Sequence, residues 1–303
     1  RQAIRLVNES EFILKHVCKI IAQQSRVVLQ AYIKNPESTN VCVHNGIEPY
    51  PAAVTALLEL RKRGKSICML SNGPRRAVDL IARLDQMGVP RDAYQHVMSS
   101  GEATWNALAV RPDAFHQSFG QRCYHIGPSR DISVTEGNGT LIAASIEDAD
   151  FILCTGPVEH HHPIDVYTPV LTKAAEFGVP MVCANPDLVV HIGEDLVYCA
   201  GTMAALYQGM GGKVSYHGKP YQSVYDQCFS FFPEIPSDRL IGIGDGLRTD
   251  ILGANRNGIK SLFLTGGIHS DEITYSSDGS SNLQTICRDI GAHPNFAAQR
   301  LEW

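Results

Sequence analysis

Two carboxylates frame a tight turn in the segment Ile241-Gly-Ile-Gly-Asp-Gly-Leu-Arg-Thr-Asp250. Ile241 to Gly244 reads as the end of a buried strand, apolar and with glycine where backbones approach closely. Asp245 stands at its tip and Gly246 permits a sharp turn. Thr249 or Asp250 is placed to cap a helix through Ile251, Leu252 and Ala254 to Gly258. Carboxylates flanking one turn can face a common point, and a hard cation such as Mg²⁺ takes oxygen ligands of this kind, usually shared with a phosphate. An Asp turn followed by an Asp helix cap accounts equally well for these residues taken alone. Ser71, after the apolar run Ser66-Ile-Cys-Met-Leu70, offers a hydroxyl followed by the backbone N–H groups of Asn72 and Gly73. Lys219, in Gly218-Lys-Pro220, offers an ammonium at the start of a helix. A hydroxyl, a lysine and paired acids at one edge of a parallel sheet would form a phosphate-plus-Mg²⁺ site. The bland alternatives are a Ser71 that caps the following helix and a Lys219 at the surface before a proline.

The elements needed to position these residues are visible in the pattern. Lys260-Ser-Leu-Phe-Leu-Thr265 reads as the strand after the acidic turn, so strand, turn, helix and strand form a βαβ unit, which binds ligands at the carboxyl ends of its strands. Pro49 and Pro51 open a helix with Ala53, Val54, Leu57, Leu58 and Leu60 on its apolar face. A helix is expected from Arg75 to Met87, and Ser99-x-x-Glu102 reads as a capping box opening another. From about Arg122 short apolar runs (Cys123 to Ile126, Leu141 to Ala144, Phe151 to Cys154, Met181 to Ala184, Leu196 to Cys199) alternate with polar loops and one helix between Val166 and Phe177. That texture suggests a separate α/β unit of ordinary domain size. Pro220 starts a helix with apolar residues at Tyr221, Val224, Tyr225, Cys228, Phe229 and Phe232, and Asn282 to Ile290 reads as a last one. Near the start, Arg26 to Ile33 reads as a strand broken by Asn35-Pro36.

Composition narrows the class. The 303 residues are 44% hydrophobic and 19% charged, as in ordinary globular proteins. A net charge of −5 argues against nonspecific nucleic-acid binding. Nine cysteines without a C-x-x-C pair, several inside apolar runs, read as buried thiols in a reducing, cytoplasmic setting. No apolar run reaches membrane-spanning length and no secretory segment is evident, so no membrane partner is expected. A homo-oligomer is compatible with the composition.

The order Ser71, Lys219, Asp245 and Asp250 resembles the motifs of the haloacid dehalogenase-like (HAD) superfamily of phosphohydrolases, class IIA. The second motif of that family, a Ser or Thr at a strand end, matches Ser71; the third, a lysine, matches Lys219; the fourth, an acidic pair after glycine, matches Gly244-Asp245 and Asp250. The 148 positions from Ser71 to Lys219 leave room for the large cap of class II. Cys183-Ala-Asn-Pro-Asp187 looks like the Asn-Pro-Asp signature of class IIA caps. The resemblance runs from about His44 to Ile268. It implies an α/β fold: a doubly wound, parallel-sheet, Rossmann-like core from residues 1–120 and 213–303, with an inserted α/β cap at 121–212. It also implies Mg²⁺ held by Asp245 with Asp250 behind it, phosphate bound by Ser71, Asn72, Gly73 and Lys219, and a small phosphorylated metabolite selected by Asn185 and Asp187. Arg248 is a further candidate for phosphate or the cap. His160-His161-His162 reads as an exposed loop, since adjacent histidines point apart.

The first motif departs from the family. An Asp that attacks phosphorus is expected at the end of the first strand, with an acid/base residue two positions on. Counting back from His44-Asn45-Gly46 puts the nucleophile position on Ser38 and the acid/base position on Asn40. No Asp occurs before Asp79. Glu37 is the nearest carboxylate, but one position along a strand faces the opposite side. Two functions follow from the resemblance: an Mg²⁺-dependent phosphatase impaired at its nucleophile, or a catalytically silent phospholigand-binding protein that keeps the pocket.

Overall fold

The computed structural model describes residues 5–6, 27–32, 43, 48–159, 161–192, 195–276 and 281–303. It divides into two units: residues 1–71, 81–97 and 225–303 form one, and residues 72–80 and 98–224 the other.

The first unit is built on a seven-stranded sheet. Its strands are β1 (Arg5–Leu6), β2 (Val27–Tyr32), β3 (Ser66–Ser71), β4 (His96–Ser99), which reaches the boundary between the units, and, far along the chain, three more. To keep chain order, β5 (Arg122–Ile126), β6 (Leu141–Ile142), β7 (Phe151–Cys154), β8 (Met181–Cys183), β9 (Val189–Ile192), β10 (Asp195–Tyr198) and β11 (Val214–Tyr216) belong to the second unit, and β12 (Leu240–Gly244), β13 (Lys260–Leu264) and β14 (Phe296–Ala298) return to the first. The order across the first sheet is β1-β14-β13-β12-β2-β3-β4. Pairing is parallel from β3 through β2, β12 and β13 to β14. Taking β2 as the first strand, the chain winds out through β3 and β4, then returns to the other side of β2 for β12, β13 and β14. This is the doubly wound order, and its switch point lies between β2 and β12. Buried parallel strands require apolar residues on both faces, which β12 and β13 supply with Leu240, Ile241, Ile243, Leu262, Phe263 and Leu264, all buried. The helix Leu283–Ile290 packs Leu283 and Cys287 onto Phe263 and Ala297.

The second unit carries a five-stranded parallel sheet in the order β11-β8-β7-β5-β6, with β9 and β10 as a separate antiparallel pair. Alternate residues of β7 serve opposite faces, as the two-residue period of a strand demands. Ile152 and Cys154 pack with Leu171 and Ala174 of the helix Thr168–Glu176, and with Met203 and Tyr207 of the helix Ala200–Gly209. Phe151 and Leu153 pack with Leu108 on the other side.

The elements expected at 51–62, 66–71, 100–110, 122–126, 151–154, 168–176, 240–244, 260–264 and 283–290 are present, most with ends shifted by a residue or two. Two local expectations need correction. Ser99 caps the helix Ser100–Val110, accepting from the Glu102 N–H at 2.9 Å, but the Glu102 carboxylate does not return to the Ser99 backbone. It binds the Arg76 guanidinium (2.7 and 3.1 Å) and the Ala77 N–H (2.9 Å), because a cation and an unpaired helix-start donor outcompete one neutral N–H. Burial alone would raise the Glu102 carboxyl; Arg76 and the Ala77 N–H outweigh it and hold it below the usual range. Second, neither Thr249 nor Asp250 caps a helix. Leu247–Ile251 forms a wide π-type turn leading into Leu252–Arg256, with Gly246 at its start. Seven cysteines among the described residues are buried. Burial pushes the Cys123 and Cys154 thiols up to about 12, so they pack as small apolar groups. Among the described residues no helix is long and apolar enough to cross a membrane.

Ser99 also donates to the Arg75 carbonyl. Ser99→Ala removes the cap and that bond, and is expected to cost about 1–2 kcal/mol. The check is a lowered urea midpoint with an unchanged slope.

Candidate active site

In the first unit the ladder sets the level of each candidate residue. Tyr32 pairs with Ser71, and Gln30 pairs with Ile243. Two positions on from that second pair stand Tyr32 and Asp245. Ser71, Tyr32 and Asp245 therefore lie on one line across three adjacent parallel strands, with Ser71 and Asp245 about 10 Å apart at the usual strand spacing. The line crosses the carboxyl edge of the sheet at its switch point, where such sheets bind ligands. Ser71, Asp245 and Asp250 are all buried.

Buried carboxylates need hydrogen-bond donors, and the backbone supplies them. Asp245 Oδ2 accepts from the Ile268 N–H at 3.0 Å, and Asp250 Oδ2 from the Gly246 N–H at 2.9 Å. Asp250 thus closes the turn that begins after Asp245, which is why it lies inside the π-type turn instead of at a helix cap. Two glycines make room for the acids. A Cβ on Gly244 would stand 2.2 Å from Asp250 Cγ, and one on Gly267 would stand 2.1 Å from Asp245 Oδ2. His269 braces the same turn: its Nε2 accepts from the Leu247 N–H at 3.3 Å.

The second unit gathers the other candidates around one amide. Asn72 Oδ1 accepts from the Lys219 N–H (2.7 Å) and the Ser100 hydroxyl (3.3 Å). Asn72 Nδ2 donates to the Lys219 carbonyl (3.0 Å) and to Asp187 Oδ1 (2.8 Å). All four hydrogen-bonding positions of the carboxamide are used. Asn185 Oδ1 accepts from the Asp187 N–H at 3.0 Å, so Asn185-Pro186-Asp187 is a side-chain-stabilised turn as well as a source of polar groups. The Gly73 carbonyl accepts from the Gly101 N–H at 3.1 Å. Asn72, Asn185, Asp187 and Lys219 are thereby joined, with the Asn72 side chain in a role that the sequence assigned to its backbone. Arg248 of the first unit is exposed. Ser38 and Asn40 lie outside the described residues, as does His160. His161 is exposed, and His162 Nδ1 stands 3.1 Å from the Tyr167 hydroxyl.

The donor set suits Mg²⁺ better than a cation that needs a full protein cage. Among the described residues no group of three or more His, Cys, Asp or Glu side chains is placed to hold a metal. Mg²⁺ commonly takes one or two carboxylates, keeps several waters and completes its shell with substrate phosphate. Asp245 and Asp250, oxygen donors on one turn, match that habit.

Models of two haloacid dehalogenase-like hydrolase families match residues 42–140 and 216–291, together more than half of the chain. A haloacid dehalogenase-like hydrolase from Brucella suis 1330 superposes with a TM-score of 0.77 at 27% identity, covering 93% of this chain and 98% of that one. The chain belongs to the HAD superfamily, class IIA. Ribonucleotide monophosphatase NagD of Escherichia coli (strain K12) is 24% identical over 234 residues, 76% of this HAD chain and 86% of NagD. A glycerol phosphate phosphatase from Mycobacterium tuberculosis, solved in complex with magnesium, shares the fold at a TM-score of 0.67 and 20% identity, covering 93% of this chain and 76% of that one.

Gly267, His269 and the bracing of the Asp250 turn escaped the sequence reading. A glycine pair after an apolar run (Gly266-Gly267) was their one signal. Gly244→Ala and Gly267→Ala are expected to overpack the acidic turn and cost about 1–3 kcal/mol each. Gly242→Ala, whose Cβ would meet Ala254 Cβ at 3.3 Å, is expected to cost less. Urea unfolding of the three variants orders them.

Proposed function

We propose that this HAD protein binds a small phosphorylated metabolite together with Mg²⁺, in the manner of a phosphatase, and hydrolyses it slowly or not at all. The observation that carries the reading is the line of Ser71, Tyr32 and Asp245 at the switch point of the core sheet. It supports binding, because a hydroxyl and a carboxylate lie at the sheet edge where ligands sit. It supports weak turnover, because the strand between them, Val27-Val-Leu-Gln-Ala-Tyr32, contains no acid.

In this reading Asp245 holds the cation and Asp250 keeps the turn shaped around it. Mg²⁺ supplies charge neutralisation and polarisation of phosphate oxygens when bound. Ser71 donates its hydroxyl to phosphate, and Lys219 offers a compact positive charge. Residues 121–212 serve as the cap, and Asn185 and Asp187 select the substrate. Hydrolysis by the family's route needs a carboxylate at the end of β2 to attack phosphorus and expel the alcohol, and a second group to protonate that alcohol. Motif spacing assigns these roles to Ser38 and Asn40, whereas sheet register puts Tyr32 level with Asp245. The silent phospholigand-binding reading rests on the same lack of an acid.

Calorimetric titration of Mg²⁺, with and without inorganic phosphate, is paired with 4-nitrophenyl phosphate turnover. The unmodified chain is expected to bind Mg²⁺ weakly, to bind it more tightly with phosphate present, and to turn over little. Asp245→Ala is expected to lose the phosphate-dependent gain. Ser38→Asp and Tyr32→Asp separate the two registers, since only the one at the nucleophile position raises both metal affinity and turnover. Rapid hydrolysis by the unmodified chain that Asp245→Ala abolishes would sink the impaired-nucleophile reading. Absence of any phosphate effect on Mg²⁺ binding would sink the binding reading as well.

A further inference from the structure

We infer that an exposed carboxylate, Asp113, and two buried imidazoles, His116 and His217, form a relay of positioning residues that holds the Lys219 segment in place for phosphate. The inference rests on the phosphate-binding role proposed for Lys219.

The segment after β11 is short and irregular. His217 extends the β11–β8 pairing by one residue, its N–H donating to the Cys183 carbonyl at 2.9 Å. Its ring is 2% exposed, and its Nε2 lies 3.1 Å from Nε2 of His116, itself 1% exposed. His116 belongs to the single turn Ala114–Gln117, which Asp113 caps. Asp113 Oδ1 accepts from the His116 backbone N–H at 2.9 Å and stands 2.7 Å from His116 Nδ1. Phe115 and Phe119 wrap the His116 ring, with centroids 5.4 and 6.0 Å away.

The tautomers follow from these contacts. A carboxylate accepts only, so His116 carries its proton on Nδ1 and presents the Nε2 lone pair. An N···N contact needs one donor, so His217 carries its proton on Nε2 and donates to His116. His217 Nδ1 is then a bare acceptor, buried and with no hydrogen-bond partner among the described residues. Burial, then the His116 ring, push the His217 imidazole down to about 3 despite Asp113, which keeps it neutral and the direction of the relay fixed.

Leaving an acceptor unpaired is costly, and an aliphatic pair would fill the same volume without that cost. What the histidines add is direction, at the one place where the chain needs it. Gly218 has φ +126°, and a Cβ there would stand 2.1 Å from Ser100 Oγ, 2.7 Å from Pro186 Cδ and 2.8 Å from Asn72 Oδ1. Lys219 follows, gripped on both backbone groups by Asn72. The three-residue segment is thus held at one end by the His116 ring and at the other by the Asn72 amide, between the end of the β11 ladder and the helix that starts at Gln222.

The test compares His116→Leu, which keeps volume and loses the acceptor, with His116→Gln, which keeps an acceptor oxygen, and with Lys219→Ala. Calorimetry reads the affinity for inorganic phosphate in the presence of Mg²⁺, and thermal melting reads the fold. Lys219→Ala and His116→Leu are each expected to weaken phosphate binding about tenfold, and His116→Gln to recover most of it while melting no higher than His116→Leu. Phosphate affinity untouched by His116→Leu but lowered by Lys219→Ala overturns the relay alone. Affinity untouched by Lys219→Ala overturns the role of Lys219 and the relay with it. Should the leucine variant fail to fold, ¹⁵N NMR of the unmodified protein decides: an Nε2–H tautomer for His217 and an Nδ1–H tautomer for His116 at neutral pH support the relay, and the opposite tautomers overturn it.

Discussion

Parallel pairing of β2 with β3 on one side and β12 on the other is the constraint on which the first unit's chemistry depends. A parallel ladder allows no half-step: shifting a strand by one residue turns every side chain to the other face and breaks its hydrogen bonds. Once Gln30 is set against Ile243 and Tyr32 against Ser71, the level of Asp245 follows. The order in which the chain winds then decides what that level means. Because β2 is first and β12 is the strand to which the chain returns after the second unit, their carboxyl ends flank the sheet's switch point.

Burying such residues sets a second requirement. Each buried acid must find a donor without a bulky group competing for its space. The structure meets it with main chain and glycine: the Ile268 and Gly246 N–H groups for the two acids, with Gly267 and Gly244 leaving the volume. The second unit uses a different device. Its polar residues come from three separated segments, around positions 72, 187 and 219, and a single carboxamide ties them because Asn offers two donor N–H groups and a two-lone-pair acceptor on a short stem. Cutting that amide back would remove the bonds it makes to the Lys219 N–H and carbonyl, so its role is structural before it is anything else.

Most of the fold was legible because its signals are local. Buried strands such as Phe151 to Cys154 and helices such as Ser100 to Val110 announce themselves by apolar runs and by Ser99 as a cap. Ser71, Asn72, Lys219, Asp187 and Asp245 stand out in the sequence, and the structure sets Ser71 and Asp245 level on the core sheet and joins Asn72, Asp187 and Lys219. What the sequence hid was non-local. The strand Phe296–Ala298 is short, and its pairing with β13 on one side and β1 on the other defines it. The return of the Glu102 carboxylate to Arg76 depends on tertiary position, and so does the meeting of His116 with His217, 101 positions apart. Asp250 looked like a helix cap because an Asp before apolar residues usually is one; the turn it closes is wider by a residue than an α-helix, which no local pattern reveals.

In the reading proposed above, the departure at the first motif bears on the metal as well as on the nucleophile. In a sheet of this winding the first strand and the returning strand share the ligand, so a carboxylate on each would place two negative charges next to one cation and one phosphate. With β2 supplying none in Val27–Tyr32, Asp245 and Asp250 are the carboxylates that the described residues place after β12 at the switch point. Mg²⁺ gives up its waters reluctantly and repays that loss mainly through anionic oxygens. Removing one anion from its shell leaves phosphate as the strongest remaining oxygen donor. In the reading proposed above, metal and phosphate therefore depend on each other, and phosphate is as much a ligand of the site as its substrate.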